Sequence, residues 1–90
     1  MSGELRLVSR ARLKRDAVRG GTVLLMPEAV LELNEQGAEV LSLCDGTRTL
    51  DAVVAAMRAR HAPGADPEVV ERDVRAFVQR LLARSLLERL

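Results

Sequence analysis

The sequence predicts a small α+β fold: a three-stranded antiparallel sheet followed by three helices, in a winged-helix-like arrangement. Three observations carry this reading. Short apolar runs broken by Gly20-Gly21 and Pro27 fill the first third of the chain. Helix-start signals at Asn34, Thr49 and Asp66-Pro67 divide the rest, and the last of them opens the longest stretch with apolar residues recurring every three and four positions. At 90 residues and 48% hydrophobic content the chain can bury one core and not two, so residues 1–90 are expected to form a single domain.

The strands come first. From Arg12 to Asp16 basic residues flank Leu13, and after the glycine pair the run Thr22-Val23-Leu24-Leu25-Met26 has the β-branched and aliphatic character of a strand. Glycine enters positive φ at little cost, so Gly20-Gly21 between two such segments predicts a hairpin turn. Pro27 closes the second strand because it cannot donate to a ladder. A third strand, Ala29 to Leu33, then places Leu31 and Leu33 on one face and Val30 and Glu32 on the other. Three short strands cannot bury a face by themselves, and the helices must cover them.

Asn34 is the expected N-cap of the first helix, which sets Ala38, Val40, Leu41 and Cys44 at helical spacing and ends at Gly46. Thr49 caps the second, whose apolar face is Leu50, Val53, Val54 and Met57 and which fades into Arg60-His61-Ala62-Pro63-Gly64. Asp66-Pro67-Glu68 starts the third with a capping carboxylate, a proline at the first helical position and an acid to complement the dipole. Val70, Val74, Phe77, Val78, Leu81 and Leu82 make it the most amphipathic of the three. Leu86 and Leu87 are expected as a last turn or a short tail on the core. Met1 to Leu7 shows no pattern.

Composition excludes several functions. Fourteen basic and 13 acidic residues leave a net charge of +1, giving no electrostatic reason to expect a nucleic-acid partner. The charge is nonetheless segregated, net +4 over residues 1–24 and net −4 over residues 25–66, so the two parts should attract each other or different partners. Phe77 is the sole aromatic residue, which removes the stacking platforms of single-strand nucleic-acid binders. One cysteine and one histidine leave no internal disulfide and no structural zinc site. No apolar run approaches the roughly 20 residues of a membrane span, and the N-terminus lacks the form of a signal peptide, so the reading is a soluble, cytoplasmic protein with no membrane partner. Catalysis has little to work with: His61 falls in a polar, exposed segment, Cys44 lies on an apolar helix face as a packing thiol, and no phosphate loop follows Gly20-Gly21. No catalytic residue, metal or cofactor is expected.

The run from Val18 to Asn34, VRGGTVLLMPEAVLELN, continued by LSLCDGTRTL from Leu41 to Leu50, resembles the PqqD family of pyrroloquinoline quinone (PQQ) biosynthesis. The likeness extends from about Val8 to Leu87, and its most specific pieces are Pro27-Glu28, the Leu33-Asn34 junction and Cys44-Asp45-Gly46. One departure is Ser85, where many relatives have glycine. The resemblance implies a peptide chaperone, a recognition element of ribosomally made peptide pathways that binds the precursor peptide PqqA and presents it to the radical SAM enzyme PqqE. It also implies a site: Ala29, Val30, Leu31, Glu32 and Leu33 for backbone pairing with an extended peptide, and Val69, Asp73, Ala76, Phe77 and Arg80 as groove lining. An exposed strand edge can accept such a peptide on general grounds, although Val70 and Phe77 also suit a plain core. A homodimer is compatible with the sequence.

The alternative is a winged-helix DNA-binding regulator, favoured by Arg72, Arg75, Arg80 and Arg84 on the third helix. Against it, Glu68, Glu71 and Asp73 crowd the helix end that would enter the groove, and Arg58 and Arg60 are confined to the end of the second helix.

Overall fold

Residues 3–18 and 20–90 are described by the structure, a computed structural model. The chain runs β1 (Leu5–Leu7), β2 (Arg12–Arg15), β3 (Thr22–Met26), β4 (Ala29–Leu33), α1 (Glu35–Leu43), α2 (Leu50–His61), α3 (Pro67–Ala83) and β5 (Leu87–Arg89). Strands β2, β3 and β4 form the expected antiparallel sheet in sequential order. Leu13, Leu24 and Leu31 stand opposite one another across it and make its inner row, and Leu24 is fully buried. The β2–β3 turn uses its glycine as anticipated: Gly20 has φ +80°, donates to the Asp16 carbonyl at 2.7 Å, and is followed by Gly21, whose carbonyl accepts from the Asp16 N–H.

Two elements differ from expectation. The segment without a pattern and the expected tail are both strands, and β1 pairs β5 antiparallel with Leu5 opposite Arg89 and Leu7 opposite Leu87. The fold is therefore a three-stranded and a two-stranded sheet around three helices. Leu5, at 0% exposure, and Leu87 fill the core from this second sheet. Three residues with one buried leucine carry too little periodicity to be read alone, and the partner strand lies at the other end of the chain.

The helices begin where their caps place them. The Asn34 side chain accepts from the Gly37 N–H at 2.7 Å, Thr49 from the Ala52 N–H at 3.2 Å, and Asp66 from the Glu68 N–H at 2.9 Å. Helices α2 and α3 face each other through Val53, Val54 and Met57 on one and Val70, Val74, Val78 and Leu81 on the other. Each of these side chains contributes about 1.5–3 kcal/mol by leaving water. At the end of α3 the Leu86 N–H bonds the Leu81 carbonyl and the Ser85 N–H the Leu82 carbonyl, while Ser85 sits at φ +59°. This is a Schellman turn with a serine in the left-handed position usually held by glycine.

Candidate functional site

Strand β4 is an edge of its sheet, and α3 does not close against it. Between them lies a groove of about 810 Å³, floored by the start of α1.

The register determines which backbone groups of β4 look into this groove. A two-residue turn, Pro27-Glu28, joins β3 to β4, so Met26 and Ala29 are the hydrogen-bonded pair that closes the hairpin. Pairs alternate along an antiparallel ladder, so Leu31 and Leu33 also turn their N–H and C=O groups toward β3. Val30 and Glu32 turn theirs away from β3, toward the open edge. Val30 itself is 62% exposed.

The opposite wall is a stripe of α3. Val69, Asp73, Ala76, Phe77, Arg80 and Arg84 line the groove at helical spacing. From Val69 to Arg84 the stripe rises about 22 Å at 1.5 Å per residue, the length of roughly six or seven extended residues. Phe77 rests on Gly37 of α1: a Cβ at that glycine would lie 3.2 Å from Phe77 Cζ and 3.1 Å from the Asn34 Oδ1 that caps the helix. The Arg80 guanidinium carbon is 5.9 Å from the centre of the Phe77 ring.

One side chain fixes the relative direction of the two walls. Arg10 reaches Glu28 Oε1, just before β4, at 3.4 Å and the Ser85 carbonyl, just after α3, at 3.0 Å. The start of β4 therefore lies beside the C-terminal end of α3.

Of the ten residues expected at the site, Leu31, Glu32, Leu33, Val69, Asp73, Ala76, Phe77 and Arg80 line this groove. Ala29 and Val30 do not; Ala29 is engaged with Met26, and Val30 contributes an outward-facing backbone only. Sequence reasoning missed Asn34, Gln36, Gly37 and Arg84 among the lining. Arg84 continues the four-residue spacing from Arg80 and was readable on that ground. Gly37 carried no signal, since its role depends on a ring 40 positions away. Val70 is buried core, while Phe77 is half-buried and belongs to both core and groove.

The reactive residue types lie elsewhere. Cys44 is buried, and burial, with the Asp45 charge added and Arg48 opposing, pushes its thiol up to about 12. It is not a nucleophile in this setting. His61 is not the exposed residue expected: it is half-buried, with Nε2 3.0 Å from Glu39 Oε1, because α2 packs its end against α1. Among the described residues no group of three His, Cys, Asp or Glu side chains is placed to hold a metal ion, and no helix is long and apolar enough to cross a membrane. On the outer side of α2 and α3, Arg58 and Arg75 are paired with Glu71, and Arg75 also with Asp51, which neutralises two of the arginines a nucleic acid would need.

The profile of the family described as coenzyme PQQ synthesis protein D (PqqD) matches residues 21–87. The PqqA binding protein of Rhizobium meliloti (strain 1021) is 37% identical over 87 residues, covering 97% of this chain and 87% of that protein. The PqqA binding protein of Rhodopseudomonas palustris (strain TIE-1) is 41% identical over 81 residues, 90% of this chain and 78% of the relative. Among solved structures, the PqqD truncation of Methylobacterium extorquens PqqCD, a functional and stand-alone recognition element for ribosomally synthesized and post-translationally modified peptides, matches with a TM-score of 0.75 at 33% identity, covering 94% of this chain and 88% of that one. TbiB1 in complex with the TbiA(beta) leader peptide matches with a TM-score of 0.73 at 25% identity, covering 92% and 94%. With sequence relatives along nearly its whole length and the same fold in a PqqD structure, the chain belongs to the PqqD family.

Proposed function

We propose that this protein is a non-catalytic, cytoplasmic recognition domain that holds the precursor peptide PqqA in the β4–α3 groove and presents it to the radical SAM enzyme PqqE. The observation that carries this reading is the pairing of the outward backbone of Val30 and Glu32 with a facing helical stripe long enough for a six- or seven-residue strand. A peptide added to β4 gains main-chain hydrogen bonds that depend little on its sequence, while Leu31, Val69 and Phe77 select its apolar side chains. Its relatives are PqqA binding proteins, and TbiB1 on the same fold holds a leader peptide.

Titration of synthetic PqqA into isotope-labelled protein is expected to shift the amides of Val30, Glu32 and the groove face of α3, with the peptide's mass unchanged afterwards. Val30→Pro removes an N–H aimed at the peptide and leaves the β3 ladder whole, so affinity should fall about tenfold with the fold retained. Leu31→Pro removes an N–H aimed at β3 and should unfold the sheet edge instead. Shifts confined to residues 3–18, or full binding by Val30→Pro, would show that the edge of β4 is not the site.

A further inference from the structure

The groove is not electrically uniform. Its apolar lining is Leu31, Leu33, Val69 and Phe77. Asp73 stands between Val69 and Phe77 on the helical wall, with Oδ1 3.5 Å from Arg72 Nε. At the other end stand Arg80 and Arg84, one helical turn apart, both exposed and both lining the groove. Neither has a carboxylate within ion-pair distance among the described residues, whereas most other arginines of the helical layer do. Glu28, which Arg10 links to the Ser85 carbonyl at this end, is engaged by that arginine. Asp73 is seven residues from Arg80, about 10 Å along the helix. In the last turn of α3 the Arg80, Leu81 and Leu82 carbonyls accept from the N–H groups of Arg84, Leu86 and Ser85, so the two guanidiniums dominate the local charge.

Resting on the function proposed above, we infer that Arg80 and Arg84 form an anion seat for a carboxylate side chain of the bound peptide, at the end of its paired stretch that lies beside the start of β4. Two forked guanidiniums one turn apart match a carboxylate bidentately, and Phe77 beneath Arg80 limits that side chain's freedom. A phosphate chain is a poorer fit, because Asp73 and Glu32 line the same groove and would repel it along its length. The preferred occupant is thus an extended segment that carries apolar residues and, at the end beside the start of β4, an aspartate or glutamate. If the segment runs antiparallel to β4 the acid lies C-terminal to the apolar residues, and if parallel, N-terminal; in neither case does it lie at the centre.

Synthetic PqqA, and variants with each acidic residue changed in turn to lysine, should be titrated against wild-type protein, Arg84→Glu and Arg84→Gln. Arg84 has no side-chain partner to lose, and circular dichroism confirms that each variant is folded. Arg84→Glu should weaken PqqA binding roughly tenfold or more. One lysine-substituted peptide should lose as much against wild type and regain affinity against Arg84→Glu. Raising salt from about 50 mM to about 500 mM should weaken wild type more than Arg84→Gln. The inference is overturned if no charge swap restores binding, or if wild type binds every lysine variant as well as the parent. Absence of any PqqA binding by wild type would instead remove the function on which it rests.

Discussion

Gly37 has no side chain, and Phe77 lies in the space that one would fill. At the third position of α1, Gly37→Ala improves helix propensity by about 0.5–1 kcal/mol, yet its methyl would meet the Asn34 Oδ1 that caps the helix at 3.1 Å and the Phe77 ring at 3.2 Å. The ring borders open space, so it can move, and the direction open to it is the groove. The expected outcome is a melting temperature equal to or above wild type together with PqqA binding weakened about threefold, measured by thermal denaturation and calorimetry. In a Phe77→Ala background the same substitution should leave affinity unchanged, since the ring that transmits it is gone. Cys44 makes a second case at this scale. Its thiol has a reference value of 9.0 and is raised to about 12 in the fold. A raised folded value means that the unfolded chain loses the proton first, so the stabilising contribution is complete below pH 9 and declines between 9 and about 12. Alkylating reagents at pH 8 should leave native protein unmodified and label it only on unfolding, and Cys44→Ala should flatten the alkaline loss of stability.

Elements whose start is written in local chemistry were legible. Asn34, Thr49 and Asp66-Pro67 each satisfy the first orphan N–H groups of the helix that follows, through bonds spanning two or three residues, and such bonds leave a signature in the sequence itself. The same holds for β3, read from its β-branched and aliphatic run, and β4, read from its alternation, since these residues and their turn residues are consecutive. Strands β1 and β5 were not legible, because what makes them strands is each other: the paired residues of Leu5-Arg6-Leu7 and Leu87-Glu88-Arg89 are 80 or more positions apart, and each strand is too short to show a period. The site divided along the same line. Which strand and which helix wall the groove was implied by the resemblance to the PqqD family, whereas the floor at Gly37 is a tertiary contact that no local pattern announces. The turn between α3 and β5 gives this scale its prediction. Ser85 at φ +59° adopts a conformation that costs a residue with a Cβ roughly 1 kcal/mol. Ser85→Gly should raise stability by about 0.5–1 kcal/mol in chemical denaturation. PqqA affinity should be unchanged, since Ser85 does not line the groove.

Across the whole molecule, the charge asymmetry of the sequence finds one direct expression in the Arg10–Glu28 pair, which joins the basic first quarter to the acidic middle, and the same guanidinium holds the Ser85 carbonyl. Exposed pairs of this kind contribute well under about 1 kcal/mol, so the groove walls are held chiefly by the core beneath them: Leu24 under β4, Val74 and Val78 under α3, and Leu41 between. The two-stranded sheet is a separate layer of the same core, clamped by Leu5, whose N–H bonds the Arg48 carbonyl and whose carbonyl accepts from Gly46, each at 2.8 Å. It brings residue 3 against residue 90, with the Gly3 N–H 3.0 Å from the Leu90 carbonyl and the Leu90 N–H 2.8 Å from the Glu4 carbonyl, and no residue of β1 or β5 lines the groove. Connectivity is consequently interchangeable with proximity at this seam. A circular permutant that joins residue 90 to residue 3 through a short glycine linker and opens the backbone between Ala17 and Val18, in the exposed β2–β3 turn, should fold and bind PqqA with wild-type affinity. The recognition surface is then portable, able to be threaded into a loop of an enzyme through two adjacent attachment points as readily as it is hung from one.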